Sequence, residues 1–241
     1  MDPIRARRAG EEIEIESAAG ALRAYLAAPP VGAGRGVLVF EEGWGLGSPA
    51  CEVCDRLARS GFMALAPDLD RLMETLGLDA VETRDAAGVG AGLGGEAGKV
   101  ATEAAGAQAG PGLGVLIDAL RRQPGTTGAR QGSLGFGRGS GLALRIAVES
   151  AEVGAVVHGD GLGRDPIEGL ESCRVAVLSV LSAEAAEGRD ALEASGVERE
   201  RIVHAGTRPG FLNAARPDRF DAEAAARAWR DIETFLDAEL R

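Results

Sequence analysis

Apolar and polar positions follow two rhythms along this chain, and each predicts its own kind of element. Glu12-Ile13-Glu14-Ile15-Glu16 alternates strictly, as a half-buried strand does. Residues 21–27 are placed to pair with it as a hairpin. Gly36-Val37-Leu38-Val39-Phe40 and Phe62-Met63-Ala64-Leu65-Ala66 are unbroken apolar runs, expected of strands buried on both faces. Between them a helix is expected over residues 50–60, with Ser48 as cap, Pro49 in its first turn and Gly61 at its end. Further strands are expected at 130–136, 153–158, 174–181 and 200–205. Helices are expected at 113–122, 138–150, 183–195 and 218–240. In the last of these Ala222, Ala225, Ala226, Trp229, Ile232, Phe235 and Leu236 recur at helical spacing. Strands that alternate with helices imply an α/β fold, a mostly parallel sheet with helices on both faces, in one domain over 1–241.

One stretch breaks the rhythm. Residues 86–114 are dominated by Gly and Ala, with few large side chains to offset the entropy of ordering them. A mobile surface excursion is expected there. It contains a formal G-x-G-x-x-G match, Gly90-Ala91-Gly92-Leu93-Gly94-Gly95, but Glu82-Thr83-Arg84-Asp85 precedes it. A dinucleotide site needs a buried strand at that place, so the match carries no weight.

Composition narrows the partners. Formal net charge is -11, which disfavours nucleic acid and anionic membranes, both polyanions. The basic residues Arg5, Arg7 and Arg8 are followed by acidic ones rather than an apolar run, so neither a leader peptide nor a membrane span is expected. A cytoplasmic location is expected. Cys51, Cys54 and Cys173 are too few for a disulfide framework. Cys51-x-x-Cys54 has redox spacing, but it opens a predicted helix and has no second pair or His cluster for zinc. No cofactor and no metal are expected.

The chemistry centres on Gly135-Phe136-Gly137-Arg138-Gly139, which follows a strand-like run and precedes a helix-like one. That is the layout of a nucleophile elbow, G-x-S-x-G or G-x-C-x-G, in an α/β-hydrolase. Its central position holds Gly137, which has no side chain to attack a carbonyl. Together with Val39 to Leu46, Gly61 to Leu69, and Gly210-Phe211-Leu212-Asn213 with Arg216-Pro217, the elbow makes the chain resemble the dienelactone hydrolase family of α/β-hydrolases. The resemblance runs from about Ile13 to Leu240.

The resemblance implies a Cys or Ser nucleophile, an acid and a His in chain order, with a Glu after the third strand near the nucleophile. Carried over position by position, the nucleophile is Gly137, the acid is Glu184 and the His is Pro209. Glu42 matches the strand-three Glu, with Glu41 as its neighbour. Acyl transfer through such a triad needs a nucleophile and a base within hydrogen-bond reach. Gly137 and Pro209 supply neither. Backbone N–H groups of Gly43 and Arg138 would still form an oxyanion hole, and Arg138 adds charge. Trp44 would wall the cleft.

The expected function is therefore a ligand-binding or regulatory protein that has lost ester and lactone hydrolysis. Its ligand would be a small molecule bearing a carboxylate or carbonyl. The alternative is a non-covalent enzyme (a lyase, isomerase, cyclase or water-mediated hydrolase) in which His158 and Asp160, at a strand end, would face the cleft beside Glu42. Ser140, in the first turn of the elbow helix, reads as a packing residue.

Overall fold

The alternating and continuous apolar runs assemble into one eight-stranded sheet. The computed structural model describes residues 9–17, 20–41, 46–75, 112–137, 139–162, 167–186, 191–197 and 199–241. The strands are β1 (Glu11–Ser17), β2 (Gly20–Ala27), β3 (Gly34–Phe40), β4 (Phe62–Pro67), β5 (Thr126–Gly135), β6 (Val153–His158), β7 (Ala176–Ser182) and β8 (Glu200–His204). They lie in the order β1-β2-β4-β3-β5-β6-β7-β8. β1 and β2 form an antiparallel hairpin, β2 meets β4 antiparallel, and every other pairing is parallel. The expected α/β architecture is the one observed.

The helices are α1 (Ser48–Arg59), α2 (Leu69–Thr75), α3 (Gly114–Arg121), α4 (Gly139–Glu149), α5 (Ala191–Ser195) and α6 (Ala222–Glu239), with a 3-10 turn at Leu170–Ser172. Two cores result, one on each face of the sheet. Leu69 and Leu72 of α2, Leu116 and Leu120 of α3, and Leu142 and Ile146 of α4 pack on one face with Leu38, Phe40 and Leu65. Cys54 and Leu57 of α1 and Trp229, Ile232 and Leu236 of α6 pack on the other with Val37, Val39 and Ala64. Both sets are withdrawn from water, the main source of stabilisation for such a sheet.

Several boundaries differ from expectation. The cap of α1 is the backbone of Gly47, without a side-chain bond, and Ser48 is already helical. β5 begins four residues before Arg130, across Gly128. Residues 183–186 form a turn, so only Ala191–Ser195 of the expected helix is helical among the described residues. α6 begins at Ala222 rather than 218, because Asp221 caps it, accepting from Ala224 N at 2.9 Å. The helix α2 carries no apolar repeat long enough to predict. Residues 86–111 of the Gly/Ala tract lie outside the described residues, as does the G-x-G-x-x-G match.

A buried network anchors the edge hairpin. Tyr25 Oη donates to Asp55 Oδ1 at 2.8 Å and accepts from Gly10 N at 2.8 Å. Ala9 N donates to the same Asp55 oxygen at 3.2 Å. Burial, then Asp55, pushes the Tyr25 phenol up, so it stays a donor. Among the described residues no helix is long and apolar enough to cross a membrane.

Candidate active site

The strand order reverses between β3 and β5, and the elbow sits at that switch point. In open α/β sheets this is where the crevice for ligands opens, at the C-terminal ends of the strands. β5 ends at Gly135, the chain turns through Phe136 and Gly137, and α4 starts at Gly139. Gly137 has φ +54°, the left-handed conformation that a nucleophile elbow imposes on its central residue. A Cβ at Gly135 would collide with the Gly139 carbonyl, and one at Gly139 with the Phe40 carbonyl. The outer glycines are thus demanded by the close approach of strand and helix. The turn has the backbone shape of an elbow, with a glycine at its centre.

The two positions that the resemblance pairs with the acid and the His, Glu184 and Pro209, lie on neighbouring turns. Ser182 ends β7, and Glu184 lies exposed in the turn that follows. Pro209 lies in the turn after β8, and its carbonyl accepts from Arg219 Nη1 at 3.3 Å. Gly210 has φ +90°, and Phe211, next to it, is buried. A backbone bond from Asp221 N to Phe211 O at 3.1 Å ties this turn to the start of α6. The elbow is tied to the same helix by Phe136, whose ring meets Trp229 edge-on at 6.1 Å.

Asp160 connects these turns. Its backbone carbonyl accepts from Gly137 N at 2.9 Å, and its Oδ1 accepts from Ser182 N at 2.8 Å. The Gly210 amide and the Ser182 hydroxyl act on the same carboxyl. Burial first, and the nearby Glu184 charge as well, raise the Asp160 carboxyl above the usual aspartate range, against the pull of those donors. Gly161 completes the contact. A Cβ there would come within 2.6 Å of Gly137 Cα, so the strand-end turn lies directly against the elbow.

His158 does not supply the base expected of it. Its ring is fully buried, with Nε2 at 2.7 Å from Ser179 Oγ on β7 and Nδ1 at 3.1 Å from the Gly159 carbonyl. Both nitrogens are engaged inside the sheet layer, so it is a satisfied strand-end histidine. His204 ends β8, is 6% exposed, and packs against Phe211 with ring centroids 5.1 Å apart. Its Nε2 has no hydrogen-bond partner among the described residues.

The hydroxyls near the elbow are also committed. Ser140 is fully buried, with Oγ within 3.2–3.3 Å of the Gly135, Gly159 and Asp160 carbonyls. Ser133 Oγ donates to the Ala143 carbonyl at 2.7 Å and packs β5 on α4. Cys51 and Cys54 are buried on α1 and not joined in a disulfide, and burial pushes the Cys54 thiol well up. Glu41 is buried close enough to Cys54 to act on it. Glu42, Gly43, Trp44 and Arg138 lie outside the described residues.

Reasoning from sequence did not find the part played by the Ser182 and Gly210 amides. The signal available was Gly159-Asp160-Gly161, an acidic residue between glycines at a strand end.

The family model described as the dienelactone hydrolase family matches residues 22–240. A protein of Aquifex aeolicus named "Putative carboxymethylenebutenolidase" is 28% identical over 247 residues, covering 96% of this chain and 100% of the relative. Among solved structures, a "Putative Dienelactone Hydrolase" from Klebsiella pneumoniae superposes with a TM-score of 0.68 at 19% identity, over 95% of this chain and 98% of that one. A dienelactone hydrolase-like promiscuous phosphotriesterase from metagenomic libraries gives 0.67 at 21% identity, over 97% and 100%. At such identities the structural likeness speaks for the fold.

Proposed function

The chain belongs to the dienelactone hydrolase family, and from that premise we propose that it is a member without covalent hydrolysis, acting as a ligand-binding or regulatory protein. The observation that carries this reading is the elbow itself. Gly137 keeps the left-handed turn with no side chain on it, and Pro209 stands where the family pattern places its His. A Ser–His pair works as a unit, and loss of either member costs several orders of magnitude in rate. Ser133 and Ser140 are bonded to carbonyls, Ser179 pairs with the His158 ring inside the sheet layer, and both histidines are buried. The ligand class is a small molecule bearing a carboxylate or carbonyl, matched to the backbone donors an elbow presents.

The test is enzymatic. The purified chain should show no burst and no saturable turnover with activated esters or simple lactones. Gly137→Ser together with Pro209→His should gain turnover over the parent by about two orders of magnitude or more, and either change alone should gain far less. Saturable esterase activity in the parent, abolished by a substitution in the cleft, would overturn the reading.

A second reading, non-covalent acid–base chemistry, rests on Asp160, whose carboxyl keeps its proton above the usual range beside Glu184. It no longer has His158 as a base. It predicts a turnover with some carbonyl substrate that Asp160→Asn abolishes and that needs neither restored triad residue.

A further inference from the structure

We propose that Asp160 is the positioning residue of the cleft: from one place it ties the elbow to the end of β7, beside the Gly-Phe turn. The proposal concerns the shape of the cleft and stands whether or not the chain turns over a substrate.

The geometry is a hub. On the elbow side, the Asp160 carbonyl takes the Gly137 N–H at 2.9 Å, and Ser140 Oγ lies 3.3 Å from the same oxygen. On the β7 side, the Asp160 carboxyl takes the Ser182 N–H at 2.8 Å. The Gly210 amide of the Gly-Phe turn is near enough to that carboxyl to favour its charged form, the smallest of the influences on it. In a working triad, side-chain hydrogen bonds run from nucleophile to His to acid and so link these same three turns. Here the nucleophile and His side chains are missing, and one aspartate between two glycines spans the gap. Gly161 is what allows it, because a side chain at that position would strike Gly137.

The groups acting on the carboxyl set the direction of the pH response. Ser182 and Gly210 favour its charged form, while burial and Glu184 oppose it more strongly. His158, two residues upstream, is turned to Ser179 and the Gly159 carbonyl. The net result is a carboxyl that binds its proton more tightly in the assembled cleft than in water. Linkage then requires the assembled arrangement to be strongest at pH values below the ordinary aspartate range, and to weaken as pH rises through the Asp160 titration.

Amide resonances of the intact, isotope-labelled chain test this. Between about pH 3 and about pH 8, the Ser182 and Gly210 amides should titrate together, with one midpoint above about 3.9, the ordinary aspartate value. Asp160→Asn should abolish that step. Glu184→Gln should move it to lower pH, because a like charge has been removed. Asp160→Ala should speed amide exchange at Ser182 about tenfold or more, while Gly137, bonded to the main-chain carbonyl that the substitution keeps, stays protected. A step that persists in Asp160→Asn, or a midpoint unmoved in Glu184→Gln, overturns the proposal, and so does parental exchange in a folded Asp160→Ala. If the Ala variant fails to fold, the Asn and Gln variants decide. None of these readouts involves ester turnover, so the outcome is separate from that of the proposed function.

Discussion

Gly135, Gly137 and Gly139 look alike in the sequence and differ in cause. The outer two are fixed by collisions that any Cβ would make, whereas the middle one is defined by what it lacks. That Gly137 brings no side chain to the centre of the motif was legible from sequence. The fate of His158 was not, because it turns on Ser179 from the next strand, which sequence order does not place beside it. His204 carries a second pH dependence. Burial lowers its imidazole pKa, with Arg227 adding to the effect and Asp231 opposing it. The unfolded chain therefore binds a proton at His204 that the folded chain resists. Its contribution to stability is fully present above about pH 6.5 and is lost as pH falls from there toward the folded value. Denaturant midpoints measured for the parent and for His204→Phe should diverge over that range, the parent losing more stability on acidification. Parallel curves would show that the ring titrates freely.

At the level of elements, strands were easier to place than helix ends. A buried parallel strand is a short apolar run whose limits are set by its own residues. A helix start depends on which nearby polar side chain wins the cap. Asp218 and Asp221 are chemically equal candidates for α6. Asp221 wins because its N–H is taken by the Phe211 carbonyl at 3.1 Å, which fixes the entry of the chain, while its carboxylate accepts from Ala224 N. Asp68 does similar work for α2, with its Oδ1 3.4 Å from Arg71 N and its Oδ2 2.8 Å from Arg23 Nη2. That cap was available in the sequence, but a seven-residue helix offers too little periodicity to go with it. Asp221→Ala should cost about 1 kcal/mol of stability. Because the cap adjoins the Gly-Phe turn, the same substitution should speed amide exchange at Phe211 more than at the far end of α6. Uniform loss of protection along the helix would deny that coupling.

For the molecule as a whole, the sheet has two edges, and only one is guarded by a row of like charges. β1 carries Glu11, Glu12, Glu14 and Glu16, all exposed, on a strand whose other edge is paired to β2. A second β1 brought alongside would set carboxylates against carboxylates, in a chain already at net charge -11. Exposed strand edges are templates for association, and charge on them is a common protection. β8, at the opposite edge, carries the oppositely charged Glu200 and Arg201 with Val203 45% exposed, a weaker barrier. The strict Glu–Ile alternation that announced β1 in the sequence thus serves two ends. Its isoleucines face the core, with Ile15 buried, and its glutamates keep the edge from pairing. Replacing Glu14 and Glu16 together by Val keeps the strand propensity and removes the charge. The variant should then associate with rising concentration, seen by light scattering at neutral pH, while its unfolding midpoint at high dilution stays within about 0.5 kcal/mol of the parent. A variant that scatters light like the parent across the same concentrations would mean that backbone geometry at this edge, rather than charge, prevents pairing.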